Sequence, residues 1–284
     1  MAALFWISLA LIAYAYAGYA VWLRLFAGTR PRVEAGERFR PAISIVVACR
    51  NERENLPRKI DNLERLAYLG TRPEILIASD GSTDGTAELL LGAADRVVPV
   101  ILPESRGKAM ALNAAVRRAK GEIVVFFDAR QVVDERALIE LAGCFADPEV
   151  GAVSGELLLE DPEGEPAGDA LGLYWRIEKV VRRLESESGS VVGVTGAIYA
   201  IRRELYVELP EGTILDDVLV PMNVAHAGKR VMFQPTAIAR DRIFQKPGKE
   251  FARKVRTLTG NYQLVQFAPW LVTFRNPLLF RFIS

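Results

Sequence analysis

The sequence predicts an α/β fold in which a mostly parallel sheet is flanked by helices. Half of the 284 residues are hydrophobic and a quarter are charged, as in a packed globular domain. Short runs rich in Ile and Val alternate with helical patterns, which is typical of a parallel sheet covered by helices. Acidic residues directly follow several of these runs, as they do at the ligand-binding edge of an open sheet.

The predicted elements follow one another in order along the chain. Apolar runs of strand length lie at 43–48, 74–79, 97–102 and 122–127, with helical patterns between them near 53–67, 84–93 and 107–119. A helix at 134–146, a strand at 150–158, a loop rich in Pro and Gly at 161–168 and an amphipathic helix at 169–188 complete the prediction.

The amino terminus is apolar, and its first 23 residues carry no charged side chain. The run Ala2–Leu23 is long enough to cross a bilayer as a helix. A signal peptide cleaved at Ala15–Ala17 is the alternative, but the run has no basic start and is longer than a usual signal core. Arginines follow at once, and by the positive-inside rule they keep the rest of the chain in the cytoplasm. We therefore predict a transmembrane anchor at 1–24, a basic linker at 25–40 and localisation at the cell membrane.

Charge and composition exclude several functional classes. The formal net charge is +1, so no general affinity for nucleic acid is expected. Cys49 and Cys144 lie far apart in apolar contexts, which favours buried free thiols over a disulfide or a metal cluster. The single histidine, His226, argues against a Ser-His-Asp triad.

Four charged residues occupy the expected ligand edge of the sheet. Glu52 follows the first strand, and Asp80 opens an acidic Gly-rich turn that suits a ribose or base edge better than a bare phosphate. Lys108 begins a helix, where a cation and free N–H groups favour an anion. Asp128 follows the fourth strand and is placed either to bind a divalent cation that bridges a diphosphate or to cap the next turn.

The second half of the chain adds two polar turns and an aromatic end. The turn at Thr195 and Gly196 would let the backbone approach a ligand closely. Asp216 and Asp217 precede an apolar helix, where adjacent carboxylates act either as a helix cap or as a general base with its neighbour. Residues 263–284 are rich in aromatic side chains and suit interfacial helices, which either end on the membrane surface or precede further membrane helices.

Taken in order, these motifs resemble the family 2 glycosyltransferases of GT-A (Rossmann-like) fold, over about residues 41–262. The resemblance implies an inverting hexosyltransferase of polysaccharide biosynthesis. Its donor would be a nucleotide diphosphate sugar, a UDP-sugar by family habit, and its acceptor a lipid-linked or growing glycan at the membrane. Six motifs in matching order carry the resemblance: Cys49-Arg-Asn-Glu52, Asp80-Gly-Ser-Thr-Asp-Gly-Thr, Arg106-Gly-Lys-Ala-x-Ala-Leu-Asn, Phe127-Asp-Ala, Thr195-Gly-Ala-x-Tyr-Ala-x-Arg-Arg and Asp216-Asp217.

The resemblance also implies roles for individual residues. In the family's arrangement one carboxylate deprotonates the acceptor hydroxyl, while a metal ion stabilises the leaving diphosphate. The implied assignments are Glu52 and Asp80 for base and ribose, Lys108 near the nucleotide, Asp128 for Mg²⁺ or Mn²⁺, Thr195 and Gly196 beside sugar and acceptor, Asp217 as base and Asp216 next to it.

The sequence departs from the family pattern in two places. Arg130 stands where the second acid of the Asp-x-Asp motif is expected, so it either weakens metal binding or itself neutralises diphosphate charge. The Gln-x-x-Arg-Trp motif of processive synthases is replaced by Arg253–Thr257, in which Arg256 can still clamp a diphosphate. A lipid-facing basic patch is the alternative reading of that run.

Three other functions remain open at this point. One is a processive exopolysaccharide synthase, another is a non-catalytic nucleotide-sugar-binding protein on the same fold, and the third is a nucleotidyltransferase. Release of nucleoside diphosphate, rather than pyrophosphate, would exclude the nucleotidyltransferase.

Overall fold

The computed structural model of the protein describes residues 2–14, 18–26, 39–160, 169–242 and 247–283. The strands are β1 (Ile43–Cys49), β2 (Glu74–Asp80), β3 (Val98–Leu102), β4 (Ile123–Asp128), β5 (Val132–Val133), β6 (Val150–Glu160), β7 (Ile198–Arg202) and β8 (Arg230–Arg242). The helices are α1 (Ala2–Ala13), α2 (Tyr19–Phe26), α3 (Leu56–Glu64), α4 (Thr86–Gly92), α5 (Lys108–Val116), α6 (Ala137–Gly143), α7 (Asp169–Ser188), α8 (Asp216–His226), α9 (Pro247–Phe267) and α10 (Leu279–Ile283).

The described strands form one sheet in the order β3-β2-β1-β4-β7-β6-β8-β5. β1, β2, β3 and β4 pair in parallel, as do β6 and β8. β7 is antiparallel to both β4 and β6, and β5 is antiparallel to β8. The sheet is therefore mixed, and the prediction of a mostly parallel sheet holds only for its first half. β7 begins beside the end of β4, where Ile198 pairs with Phe127. It therefore runs in the opposite direction to β4.

The sheet is buried on both faces, which explains why its strands read as continuous apolar runs. Along β1, Ile45 and Val47 pack on one face, while Val46 joins the core on the other. Helices α3 and α6 contribute to the first core, and α5 and α8 contribute to the second. Cys49 and Cys144 are free and buried, as predicted, and burial raises the pKa of each thiol to about 12.

The predicted transmembrane span corresponds to two helices, α1 and α2, among the described residues. Among the described residues, no helix combines the length and apolarity needed to cross a bilayer. Two helices, α1 and α2, cover parts of the predicted span, while residues 15–17 and most of the predicted linker lie outside the described residues. α2 packs on α7: the Tyr19 hydroxyl donates to Glu185 at 2.6 Å, Leu23 is buried, and the Trp22 ring contacts Phe280. The second half of the apolar segment therefore packs on the protein.

The carboxyl end packs on the same domain through part of its apolar surface. Leu264, Ala268 and Leu271 are buried in the second core. Helix α9 runs through the predicted domain boundary at 262. The opposite side of α9 exposes an apolar stripe at helical spacing. This α9 stripe consists of Phe251, Val255, Leu258, Tyr262 and Val265.

Candidate active site

The predicted ligand edge of the sheet exists and gathers residues from distant parts of the chain. β1, β2 and β4 are parallel, so their carboxyl ends lie at one edge. Asp80 and Asp128 end β2 and β4, and Glu52 follows β1 by three residues. Since β7 starts where β4 ends, the turn before it reaches the same edge. Lys108, the first residue of α5, contacts Asp128 there, and it also contacts Asp216, the first residue of α8.

Lys108 joins two carboxylates at the centre of this edge. Its Nζ lies 3.2 Å from Oδ1 of Asp128 and 3.2 Å from Oδ2 of Asp216. Burial alone would lower the pKa of Lys108, but the carboxylates of Asp216 and Asp128 raise it above its ordinary value. Lys108 therefore carries its charge across the whole neutral pH range.

Asp217 is a half-buried carboxylate with a raised proton affinity. Burial raises its pKa to about 6, the Asp216 charge adds to this effect, and Lys108 opposes it. The carboxylate lies against Gly196, where a Cβ atom would sit 3.3 Å from Oδ2 of Asp217. No side-chain hydrogen bond caps α8, whose N-cap residue is Leu215. The structure therefore does not support the cap interpretation of this acidic pair.

Asp80 is turned toward the protein. Its carboxylate accepts hydrogen bonds from the backbone N–H groups of Arg106 and Gly107, at 2.7 and 2.9 Å, and from the Ser105 hydroxyl at 2.9 Å. Asp80 is only 4% exposed. Its visible role is thus to hold the loop that leads into α5 and places Lys108.

Glu52 is half-buried in the loop that follows β1. Its carboxylate accepts a hydrogen bond from the Asn55 amide at 2.6 Å, and its N–H donates to the Thr86 hydroxyl at 3.0 Å. Asp84 accepts from the backbone N–H groups of Thr86 and Arg53, so it ties the start of α4 to the loop after β1. Two loops of the edge are therefore joined to each other.

Three hydrogen bonds fix the turn before β7. The Thr195 N–H donates to the Ser154 hydroxyl at 2.8 Å, and the Arg182 guanidinium donates to the Thr195 hydroxyl at 2.7 Å. The Val194 N–H donates to the Asp217 carbonyl at 2.9 Å. The last bond couples the turn directly to the acidic pair of α8.

Comparison with known proteins decides the family. The family model described as "Glycosyl transferase family 2" matches residues 44–209, which include the edge from β1 to the loop after β7. The chain belongs to glycosyl transferase family 2. It has the GT-A-like α/β fold, with a mixed sheet flanked by helices.

One curated relative matches most of the chain. The chain is 28% identical over 249 residues to the poly-beta-1,6-N-acetyl-D-glucosamine synthase of Staphylococcus aureus (strain COL), covering 83% of this chain and 59% of the relative. The chain thus spans about three-fifths of the length of that curated relative.

Solved structures share the fold of this family 2 chain. The mannosyltransferase PcManGT from Pyrobaculum calidifontis, in complex with GDP-Man and Mn²⁺, matches with a TM-score of 0.75 at 24% identity, over 98% of this chain and 84% of the other. S. aureus TarS 1-349 in complex with UDP-GlcNAc matches with a TM-score of 0.55 at 15% identity, over 72% and 59% of the two chains.

The loop after β4 does not fit the two-carboxylate metal site that the family pattern implies. Asp128 is paired with Lys108, and the second position of the motif carries the guanidinium of Arg130. Within the described ranges, no group of three or more His, Cys, Asp or Glu side chains is placed to hold a metal ion. The predicted Mg²⁺ or Mn²⁺ ligand Asp128 therefore stands without a second acidic ligand in its motif.

Arg256 lies on α9, which packs against the chain just before α8. A Cβ at Gly260 would lie 2.6 Å from the Leu215 side chain, and Gln263 accepts from the Ile214 N–H at 2.9 Å. The Arg256 side chain is exposed and makes no ion pair with the residues that the structure describes. The structure thus places its helix, but not its guanidinium, beside the site.

The sequence analysis assigned no role to two buried residues near the site, Lys59 and Tyr199. Lys59 is 2% exposed, and its ammonium donates to the Gln131 carbonyl at 2.9 Å in the loop after β4. Its signal in the sequence is a lysine on the apolar stripe of α3, between Leu56 and Leu63. Tyr199 is 1% exposed, and its hydroxyl has no hydrogen-bond partner within the described structure. Tyr199 carries no comparable signal, because aromatic residues are ordinary in buried strands.

Proposed function

We propose that the enzyme transfers a sugar, with inversion, from a nucleotide diphosphate sugar to a hydroxyl of a lipid-linked or glycan acceptor. The observation that carries this proposal is the Asp217 carboxylate. It lies against Gly196, the Val194 N–H holds the Asp217 backbone carbonyl, and a pKa of about 6 leaves the carboxylate ionised at neutral pH. A half-buried carboxylate of that kind is suited to accept a proton from an acceptor hydroxyl.

The reaction is a direct displacement. The acceptor oxygen forms a bond to the anomeric carbon, and the bond from that carbon to the diphosphate oxygen breaks with its electron pair. The acceptor proton passes to Asp217, and a nucleoside diphosphate is released. Lys108 lies at the same edge, where its charge favours the diphosphate.

The donor and acceptor classes are taken from the relatives. The S. aureus relative is named for a polymer of N-acetylglucosamine, and the TarS structure holds UDP-GlcNAc. These names support a UDP-sugar donor and a glycan acceptor, while GDP-Man in the mannosyltransferase structure makes a GDP-sugar the second donor to test.

A membrane-proximal location is part of the proposal. It is supported by the α9 stripe and by the exposed side chains of Leu4, Phe5 and Trp6 on α1. Exposed basic residues Lys254 and Arg256 lie beside the α9 stripe, as in helices that lie in the interface of anionic lipids. The catalytic domain would then work at the cytoplasmic face of the cell membrane.

A processive synthase is the second candidate, and its support is the resemblance to the S. aureus synthase. The stacking Trp of the processive motif is absent from the Arg253–Thr257 run, and the nearby Tyr262 is 81% exposed on α9. Product length, read by mass spectrometry after reaction with a short acceptor, separates single transfer from polymer synthesis.

The decisive experiment measures nucleoside diphosphate release from UDP- and GDP-sugars, with and without glycan or lipid-linked acceptors. Wild type and Asp217→Asn are compared, with Asp95→Asn, an exposed position before β3, as the control for loss of one charge in the same domain. Asp217→Asn should lose at least about 100-fold in transfer while retaining donor-induced thermal stabilisation. Equal transfer by wild type and Asp217→Asn would refute the assigned base, and pyrophosphate release would instead identify a nucleotidyltransferase.

A further inference from the structure

The loop after β4 presents a cation where a metal ligand is expected. Burial alternates along this loop: Asp128 is partly exposed, Ala129 is buried, Arg130 is exposed and Gln131 is buried. Asp128 and Arg130 are therefore both accessible from solvent. The Arg130 guanidinium forms no ion pair or side-chain hydrogen bond with the residues that the structure describes, so it is available to a ligand.

A second cation already lies between the carboxylates of the edge. The Lys108 ammonium is 3.2 Å from both Asp128 and Asp216, where it neutralises oxygens that a divalent ion would need as ligands. With Arg130 included, two positive side chains offset most of the negative charge of Asp128, Asp216 and Asp217. The binding of a divalent cation is therefore less favourable at this edge than at a pair of carboxylates without cationic partners.

Helix α3 holds the loop that carries Arg130 in place. The Arg58 guanidinium donates to the Arg130 carbonyl at 3.2 Å, and the Lys59 ammonium donates to the Gln131 carbonyl at 2.9 Å. The Asn62 amide exchanges two hydrogen bonds of 2.8 Å with the backbone of Val133. Because the loop backbone is fixed before any ligand arrives, a cation on it stabilises developing charge without a large cost of reorganisation.

We infer that this enzyme neutralises the donor diphosphate with Arg130 and Lys108, and that it binds and uses its donor without a divalent metal. The inference rests on the proposed function. When the bond from the anomeric carbon to the diphosphate oxygen breaks, the leaving diphosphate gains one negative charge. Arg130 is suited to meet that charge, because its planar guanidinium can donate two parallel hydrogen bonds to phosphate oxygens.

The test measures binding of UDP and GDP by calorimetry, once in EDTA and once in Mn²⁺, for four proteins. These are wild type, Arg130→Gln, Arg130→Asp and Arg72→Asp. Arg130→Asp restores the second acid of the motif. Arg72→Asp makes the same charge change on an exposed arginine that precedes β2, at the opposite edge of the sheet.

The inference predicts that wild type and Arg72→Asp bind the preferred nucleotide with affinities that agree within about threefold in the two conditions. Arg130→Gln should bind at least about tenfold more weakly in both conditions, since it loses charge-assisted hydrogen bonds. Arg130→Asp should lose binding in EDTA and regain it in Mn²⁺, with a bound Mn²⁺ visible by electron paramagnetic resonance.

Other results overturn the inference in distinguishable ways. Wild-type binding that is tenfold or more tighter in Mn²⁺ than in EDTA, roughly 1.4 kcal/mol, would show a metal-dependent donor site and leave the proposed function standing. Arg130→Gln with wild-type affinity would remove Arg130 from the site. Absence of nucleotide binding by wild type in both conditions would overturn the proposed function together with the inference.

Discussion

Lys108 and Asp216 form an ion pair of 3.2 Å that joins the first turn of α5 to the first turn of α8. The side chain of Asp216 is 6% exposed, and the Lys108 ammonium is the cation that lies against it. Through the same ammonium, the pair is connected to Asp128 at the end of β4. This contact links the nucleotide half of the sheet edge to the acidic pair that includes the proposed base.

Replacing Lys108 by Met should lower the free energy of unfolding by about 2 kcal/mol, because Asp216 is left buried without a cation. The value is below that of a fully buried pair, since the Lys108 side chain is 32% exposed. Adding Asp216→Asn removes the unpaired charge, so the double variant should be more stable than Lys108→Met alone. Urea unfolding of the four proteins measures the coupling, and single effects that add within about 0.5 kcal/mol would contradict it.

The pH dependence of transfer should follow Asp217. Because its pKa is raised to about 6, kcat/KM should rise about tenfold per pH unit below that value and level off above it. Lys108 lowers the pKa of Asp217, so Lys108→Met should move the midpoint to higher pH. Initial rates across the acid limb measure the shift. A midpoint that is the same in both proteins would separate Lys108 from the base.

The same group affects stability in the opposite direction. The folded state binds the Asp217 proton more tightly than the unfolded chain, so the contribution of Asp217 to stability falls as pH rises from about 4 to about 6. Asp217→Asn should remove this part of the pH dependence of unfolding.

Gly196→Ala should reduce turnover by crowding the proposed base. The new Cβ would lie 3.3 Å from Oδ2 of Asp217, so the carboxylate must shift by a few tenths of an ångström, and we expect kcat to fall about tenfold. Gly193→Ala is the matched control, because its Cβ would lie at an ordinary 3.6 Å from the Asp217 carbonyl. Thermal unfolding of both variants shows whether the effect is local. Equal kcat values for the two variants would argue against close contact at Gly196.

Lys59→Met should stabilise the protein below neutral pH. Burial lowers the pKa of Lys59 to about 7, so the unfolded chain holds a proton that the folded protein lacks between about pH 7 and 10. The free energy of unfolding therefore rises with pH between about pH 7 and 10. Below about pH 7, the destabilisation caused by burying the charged Lys59 is fully present. After loss of the hydrogen bond to Gln131, a net gain of about 1–2 kcal/mol is expected near pH 6.

Urea unfolding at about pH 6 and about pH 9 tests the Lys59 prediction, with the exposed Lys120→Met as the control. Lys59→Met should show a flatter pH dependence than either the wild type or Lys120→Met. Parallel curves for all three proteins would show that Lys59 keeps an ordinary proton affinity in the folded state.

The α9 stripe should carry membrane binding if the protein works at a lipid surface. The double variant Phe251→Glu/Leu258→Glu should bind vesicles of mixed neutral and anionic lipid at least about tenfold more weakly than wild type, because two apolar side chains are lost from the interface. Leu69→Glu, which changes a leucine 77% exposed elsewhere, is the control. Vesicle flotation measures the bound fraction, and equal flotation of all three proteins would exclude the α9 stripe.

Much of the first half of the fold could be predicted, because strand and helix periodicity is a short-range property of the chain. The strand ends at Asp80 and Asp128 and the helix start at Lys108 came from such patterns, and parallel pairing brings them to one edge. The direction of β7 could not be predicted in this way. Its pairing partner lies far away in the sequence, and an isolated strand pattern does not state which way its neighbour runs.

The sequence by itself determined the order of motifs, the family and the residue types at the sheet edge, including the substitution at Arg130. Tertiary structure alone decided what those residues contact: Asp80 binds the loop before α5, Lys108 lies between Asp128 and Asp216, and α2 packs on α7. The physical reason is that proton affinities, ion pairs and helix packing depend on groups brought together by folding. Tyr19 and Glu185 meet across 166 residues of chain, and no local pattern of hydrophobicity encodes that contact.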